Sequence, residues 1–135
     1  MNEPKTNSLE AGPGGGALIY VVDDEPMLLE LASVILEPLG YILETFRGAE
    51  SALRAFQAAD PPPALLITDY AMHEMTGMEL VKACRQIRPR QKTLLVSGTV
   101  GADIFRLTPV KPDRFLAKPY QSKQLIEAVA ALLSD

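Results

Sequence analysis

Ala17-Leu18-Ile19-Tyr20-Val21-Val22-Asp23-Asp24-Glu25-Pro26 decides the architecture of this chain. An apolar run this short, without alternation, reads as a strand buried on both faces. Three acids follow at its end, and Pro26 suits the first turn of a helix. The segment is therefore a strand leading into a helix, with carboxylates at the turn. Two later runs repeat the pattern: Ala64-Leu65-Leu66-Ile67-Thr68 delivers Asp69, and Phe115-Leu116-Ala117 delivers Lys118, followed by Pro119.

Outward from these runs, apolar and amphipathic stretches alternate. Strands are predicted over 17–23, 41–46, 64–69, 92–97 and 115–118. A first helix is predicted over 26–39, with Leu28, Ala32, Ile35 and Leu39 on one face and Gly40 as its stop. A second covers about 49–59, with Ala52, Leu53 and Phe56 inward, ended by Pro61-Pro62-Pro63. Thr76-x-x-Glu79 is a capping-box pattern, opening a third helix with Met78, Val81, Ala83 and Cys84. Between the fourth and fifth strands, Pro109 and Pro112 forbid a long helix, and Ala102 to Leu107 is left with one or two turns. A last helix runs from about Ser122 to Leu133, with Leu125, Ile126, Val129 and Leu132 at helical spacing.

Five such units predict an α/β domain: a parallel sheet with helices on both faces. Ligands bind beyond the carboxyl ends of the strands in such folds. Asp23, Asp24, Asp69, Ser97 and Lys118 all fall there.

The chain is 135 residues long, enough for one domain. Residues 1–16, ending Gly12-Pro13-Gly14-Gly15-Gly16, read as a flexible tail or linker, and 17–135 as the domain. The glycine run precedes the first strand, so it is not a dinucleotide-binding fingerprint. A formal net charge of −4 argues against nucleic-acid and anionic-membrane partners. The single Cys84 excludes an internal disulfide and fits a reducing cytoplasm. No apolar run reaches membrane-spanning length.

Three carboxylates in one pocket repel one another, and a hard cation removes the conflict. Oxygen donors without His or Cys suit Mg²⁺ or Mn²⁺. A carboxylate nucleophile, a cation site, a lysine and a hydroxyl together suit phosphoryl transfer to an aspartate. Taken singly, the aspartates read equally well as helix or loop caps, and Glu25 as a helix-start charge.

Asp23-Asp24-Glu25-Pro26, Asp69-Tyr70-Ala71-Met72 with Gly77 downstream, Val96-Ser97-Gly98 and Lys118-Pro119 together resemble the receiver domain of two-component response regulators. The resemblance covers about residues 17–134. It implies a flavodoxin-like sheet of order 2-1-3-4-5. It also implies that Asp69 accepts the phosphoryl group, and that Asp24 binds Mg²⁺ directly and Asp23 through water. The backbone carbonyl of Ala71 completes the protein ligands. Lys118 pairs with phosphoryl oxygens, Ser97 hydrogen-bonds one of them, and Phe115 takes the aromatic switch position. Lys118-Pro119 is expected in the cis form.

The implied donor is a histidine kinase or phosphotransfer protein. The implied behaviour is that of a stoichiometric phosphoacceptor rather than an enzyme, in a stand-alone regulator or in the receiver of a hybrid kinase. Output is expected through protein contact or onward phosphotransfer, without direct DNA binding. The alternative is a pseudo-receiver that binds protein and never takes up phosphate. His73, where the family carries proline, and the irregular 99–114 segment, where it carries a full fourth helix, depart from the pattern. Ala71 offers no polar side chain to orient water. An FMN carrier would need a phosphate loop where Asp24-Glu25-Pro26 stands, and an aspartate phosphatase would need its nucleophile on the first strand.

Overall fold

The protein was analysed as a computed structural model that describes residues 12–99, 101 and 109–134. Strands are β1 (Leu18–Val22), β2 (Ile42–Phe46), β3 (Leu65–Asp69), β4 (Thr93–Ser97) and β5 (Arg114–Ala117). Helices are α1 (Pro26–Leu36), α2 (Ala49–Ala58), α3 (Gly77–Ile87) and α4 (Ser122–Leu133). The strands form one sheet in the order β2-β1-β3-β4-β5, every pair parallel. This is the flavodoxin-like arrangement expected from the sequence.

Side-chain alternation splits the core into two layers. Ile19 and Val21 of β1 face α1 and α4, within a cluster that includes Leu29, Leu36, Leu125 and Val129. Tyr20 and Val22 face α2 and α3, with Phe56, Leu80, Val81 and Cys84. The three central strands are buried almost throughout, as parallel strands covered on both faces must be.

Three differences from the sequence expectations have physical causes. The first helix stops at Leu36, and Glu37–Leu39 continue as a 3₁₀ turn. Pro38 lacks the N–H that an α-helical turn would use there. Gly40 follows at φ 96°, the left-handed conformation that ends the helical path. The buried face of α1 is Leu29, Ala32 and Leu36 rather than the one expected through Leu28. In α3, Leu80 joins Val81 and Cys84 in the core, a position the sequence pattern passes over.

The Thr76 capping box is present in both directions: Thr76 Oγ1 accepts from Glu79 N–H at 3.1 Å, and Thr76 N–H donates to Glu79 Oε1 at 2.8 Å. Residues 1–11 of the expected tail lie outside the described residues. Its last five run along the domain: Gly16 N–H donates to Gly40 O at 2.8 Å, and Gly14 is buried. A Cβ on Gly14 would stand 2.6 Å from Tyr41 N, so a larger residue there would not allow this approach. Most of the expected irregular fourth-helix segment, residues 100 and 102–108, likewise lies outside the described residues.

Candidate functional site

Strand register assembles the site. Val22 pairs with Thr68, so the next residues, Asp23 and Asp69, stand side by side. Asp69 pairs with Val96, whose successor is Ser97, and Ser97 pairs with Ala117, whose successor is Lys118. Residues remote in the chain thus meet at the carboxyl edge of β1, β3, β4 and β5, where the strand order reverses.

The Lys118 ammonium donates to Asp23 Oδ2 at 2.9 Å and lies 3.2 Å from Asp69 Oδ1. Asp23 Oδ1 accepts from Glu25 N–H at 2.9 Å, which ties the β1–α1 turn to the site. Asp23 and Asp69 are both buried, and Asp24 is half-buried. Burial, then the Asp23 charge, raises the Asp69 carboxyl pKa, and Lys118 offsets only part of this. Burial pulls the Lys118 pKa down, but its bonds and charge contacts with Asp23 and Asp69 outweigh that pull, and its value ends raised. The site therefore holds its lysine as ammonium while crowding its acids.

Asp23, Asp24 and Asp69 each offer a carboxylate oxygen, and these atoms all lie within 4.8 Å of one another. An all-carboxylate triad with more negative charge than one lysine neutralises suits a hard divalent ion. The recess also includes Glu25, Ala71, His73, Gly98, Thr99 and Lys118, and its volume is about 490 Å³. That is room for an anionic group beside the acids.

Ser97 is buried at the end of β4, where its Oγ accepts from Thr99 N–H at 3.1 Å. Phe115 is half-buried on β5, in register with Leu95. Lys118-Pro119 is cis, as is Asp60-Pro61. Every sequence-predicted site residue except Phe115 thus lies at this edge of the sheet.

Two residues gain weight from the coordinates. Gly77 begins α3 directly beneath Asp69: a Cβ there would lie 2.3 Å from Asp69 O and 2.7 Å from Leu95 Cδ1. Gly77 N–H also donates to Tyr70 O at 2.8 Å, fastening the loop that carries Asp69 onward. His73, which the sequence marks only as a departure, places Nδ1 3.4 Å from Asp24 Oδ2.

The family model described as the response regulator receiver domain matches residues 19–130. This chain belongs to the response regulator receiver family. It is 30% identical over 117 residues to the photosynthetic apparatus regulatory protein RegA of Cereibacter sphaeroides, which covers 85% of this chain and 61% of that protein. It is 27% identical over 122 residues to the response regulator receiver protein CpdR of Brucella abortus, covering 85% of this chain and 95% of that protein. The match to a CpxR homolog of Haemophilus influenzae, 31% identical over 117 residues, covers 85% of this chain and 49% of that regulator. The chain therefore spans only about half to three-fifths of the length of the longer regulators.

Among solved structures, a CheY-like receiver domain from Methanospirillum hungatei superposes with a TM-score of 0.80 at 26% identity, covering 88% of this chain and 94% of that one. The response regulator TrrA of Thermotoga maritima, in complex with Mg²⁺-BeF, gives a TM-score of 0.76 at 28% identity, covering 87% and 99%. No helix among the described residues is long and apolar enough to cross a membrane.

Proposed function

We propose that this chain relays a signal by accepting a phosphoryl group from a partner's phosphohistidine onto Asp69. The observation that carries this is the placement of Asp69 Oδ1 3.2 Å from the Lys118 ammonium, inside a recess with two further carboxylates. A Asp69 carboxylate oxygen attacks phosphorus, the P–N bond breaks, and its electron pair leaves with the partner's imidazole. The product on this chain is an acyl phosphate. Lys118 neutralises phosphoryl oxygens as charge shifts toward Asp69. Asp23 holds Lys118 in place through its 2.9 Å hydrogen bond.

Asp24, Asp69 and the Ala71 carbonyl are the direct ligands for Mg²⁺ in this reading, and Asp23 acts through water; Mn²⁺ suits the same donors. A bound cation would screen the acids from the incoming phosphate and polarise its oxygens. The chain is consumed stoichiometrically in this role, as a phosphoacceptor rather than a turnover enzyme.

The donor's approach is suggested by the surface beside the recess. Met27, Leu31 and Val34 of α1 are 81%, 41% and 64% exposed, although all three are apolar. At helical spacing they make one stripe. A second recess, lined by Leu28, Leu31, Gly98, Lys118, Pro119 and Tyr120, joins this stripe to Lys118. An apolar helix of a histidine kinase or phosphotransfer protein seated there would have its histidine near Asp69.

The readout follows from the added charge of roughly −2 on the phosphoryl group. Ser97 Oγ turns to hydrogen-bond a phosphoryl oxygen, leaving Thr99 N–H. Phe115 fills the space that opens, and the surface around β5 and α4 shifts between two packings. Within the chain, 17–135 is the receiver and 1–16 its tail or linker, cytoplasmic in this reading, and the receiver itself makes no direct contact with nucleic acid.

Incubation with Mg²⁺ and a small acyl phosphate, followed by intact-mass measurement, tests the reading. The expected result is the gain of one phosphoryl group, labile to base and absent in Asp69→Asn. No gain from several donors, with Mg²⁺ binding demonstrated, would leave the chain as a protein-binding pseudo-receiver.

A further inference from the structure

We infer that His73 adds an imidazole ligand to the acidic recess, so that the site discriminates in favour of borderline divalent ions such as Co²⁺ and Ni²⁺ over Mg²⁺. This rests on the reading of the recess as a cation site and deepens it.

His73 is the only histidine in the chain. It stands on the loop between β3 and α3, and it lines the same recess as Asp24, Asp69 and Ala71. Its Nδ1 lies 3.4 Å from Asp24 Oδ2. Two atoms each about 2.1 Å from one ion, at right angles, stand about 3 Å apart, so this spacing needs little adjustment to become a shared pair of ligands.

The donor chemistry decides what such a pair would prefer. The other ligating groups of the recess are carboxylate, carbonyl and hydroxyl oxygens, a set that favours hard ions, while the Lys118 ammonium has no lone pair to give. Mg²⁺ gains little from an imidazole, because it prefers oxygen and gives up water reluctantly. Later first-row ions gain from nitrogen, in the Irving–Williams order. The His73 side chain is 88% exposed and Asp24 25%. The imidazole can therefore reorient toward the recess without disturbing the core.

The competing reading is a simple surface ion pair between a protonated His73 and Asp24. It predicts that replacing His73 changes affinity for every divalent ion alike, because only local charge is altered.

The test is calorimetric titration of the whole chain with Mg²⁺, Co²⁺ and Ni²⁺ separately, for wild type, His73→Ala and Asp24→Asn. All titrations share one fixed pH, so that the identity of the ion is the only variable. Proton NMR of the single imidazole, with and without Co²⁺, reads ligation directly. In His73→Ala, Co²⁺ and Ni²⁺ affinity should fall about tenfold or more while Mg²⁺ affinity stays within about twofold. Co²⁺ should displace the wild-type imidazole resonances strongly, and Asp24→Asn should remove that displacement.

Equal changes for all three ions in His73→Ala, in either direction, or no change for any of them, would overturn the inference and leave the cation site standing. So would undiminished Ni²⁺ binding in Asp24→Asn, which would mark an isolated surface imidazole. A wild type that binds none of the three ions would overturn both the inference and the site reading beneath it.

Discussion

The two rims of the sheet treat carboxylates in opposite ways. At the rim where β4 and β5 begin, Asp113 is one acid among donors. Its Oδ2 accepts from Arg85 Nη2 at 2.8 Å and from Thr93 N–H at 2.7 Å, and Thr93 Oγ1 lies 3.3 Å away. Arg85 also reaches the Thr93 hydroxyl at 3.1 Å and the carbonyl of Lys111. At the rim where β1 and β3 end, Asp23 and Asp69 share one lysine with Asp24 close beside them, and the Asp69 carboxyl is held above its ordinary pKa by burial and by Asp23. One rim spends its charge on holding β4, β5 and α3 together. The other keeps an excess of negative charge that a bound cation would relieve. Satisfied charge marks structure here, and crowded charge marks the site.

The sharpest way to break the comparison is at Gly77, where packing and site coincide. A Cβ at this position would meet Asp69 O at 2.3 Å, and a backbone oxygen at the end of β3 cannot step aside cheaply. Gly77→Ala should cost about 3 kcal/mol of unfolding free energy, at the upper end for overpacking. It should also displace Asp69 and so depress phosphoryl acceptance in the fraction that remains folded. Urea unfolding with parallel mass measurement checks both. Unchanged stability would mean that α3 does not press on Asp69 as described.

A second contrast sets one acid of each rim against the other. Asp113→Ala removes the carboxylate that accepts from the Thr93 N–H and pairs with Arg85, which keeps only neutral acceptors, and should cost about 2 kcal/mol. Asp69→Asn removes a crowded charge, and in a chelator it should cost nothing or raise stability. Thermal unfolding of the two variants without divalent cation measures the difference. If Asp69→Asn proved the more destabilising of the pair, the division into a structural rim and a strained one would fail.

How much of this was legible beforehand depends on how local each signal is. The site residues were readable because each sits at the end of a short apolar run, and parallel strands bring such ends to one edge. The register that places Asp23 beside Asp69 then follows from pairing. The buried face of α1 was not readable in the same way. Leu28, Leu29, Leu31, Val34, Ile35 and Leu36 put apolar residues all round that helix, so periodicity alone could not choose Leu29 over Leu28. The Arg85–Asp113 pair spans 28 residues and carries no local mark. Gly14 sits in a glycine run that reads as linker, and only its approach to Tyr41 separates it from its neighbours. His73 was visible as a departure, but its distance to Asp24 belongs to the fold.

The smallest effect concerns the layer between the rims. Cys84 precedes Arg85 on α3 and is 1% exposed, with its thiol pKa pushed up to about 12 by burial. Both rims tolerate charge because donors or a lysine stand beside it, whereas burial in this largely apolar layer disfavours a thiolate. In the unfolded chain the thiol ionises near its ordinary pKa of about 8.5. Above that pH the unfolded state has released a proton that the native state still holds. The slope of unfolding free energy with pH is therefore negative. The contribution of Cys84 is fully present below the ordinary thiol range and is lost as pH climbs toward the native value. Cys84→Ala, which cannot ionise, lacks this loss; the raised Tyr41 and Tyr120 are common to both proteins, and at Tyr20 the Cys84 charge ranks behind burial and Glu44 among the causes of the raised pKa. Urea midpoints of wild type and Cys84→Ala should therefore converge as pH rises through the alkaline range. A gap that stayed constant or widened would show that the thiolate finds a stabilising partner inside this layer, and that the core is as able to hold charge as the rims.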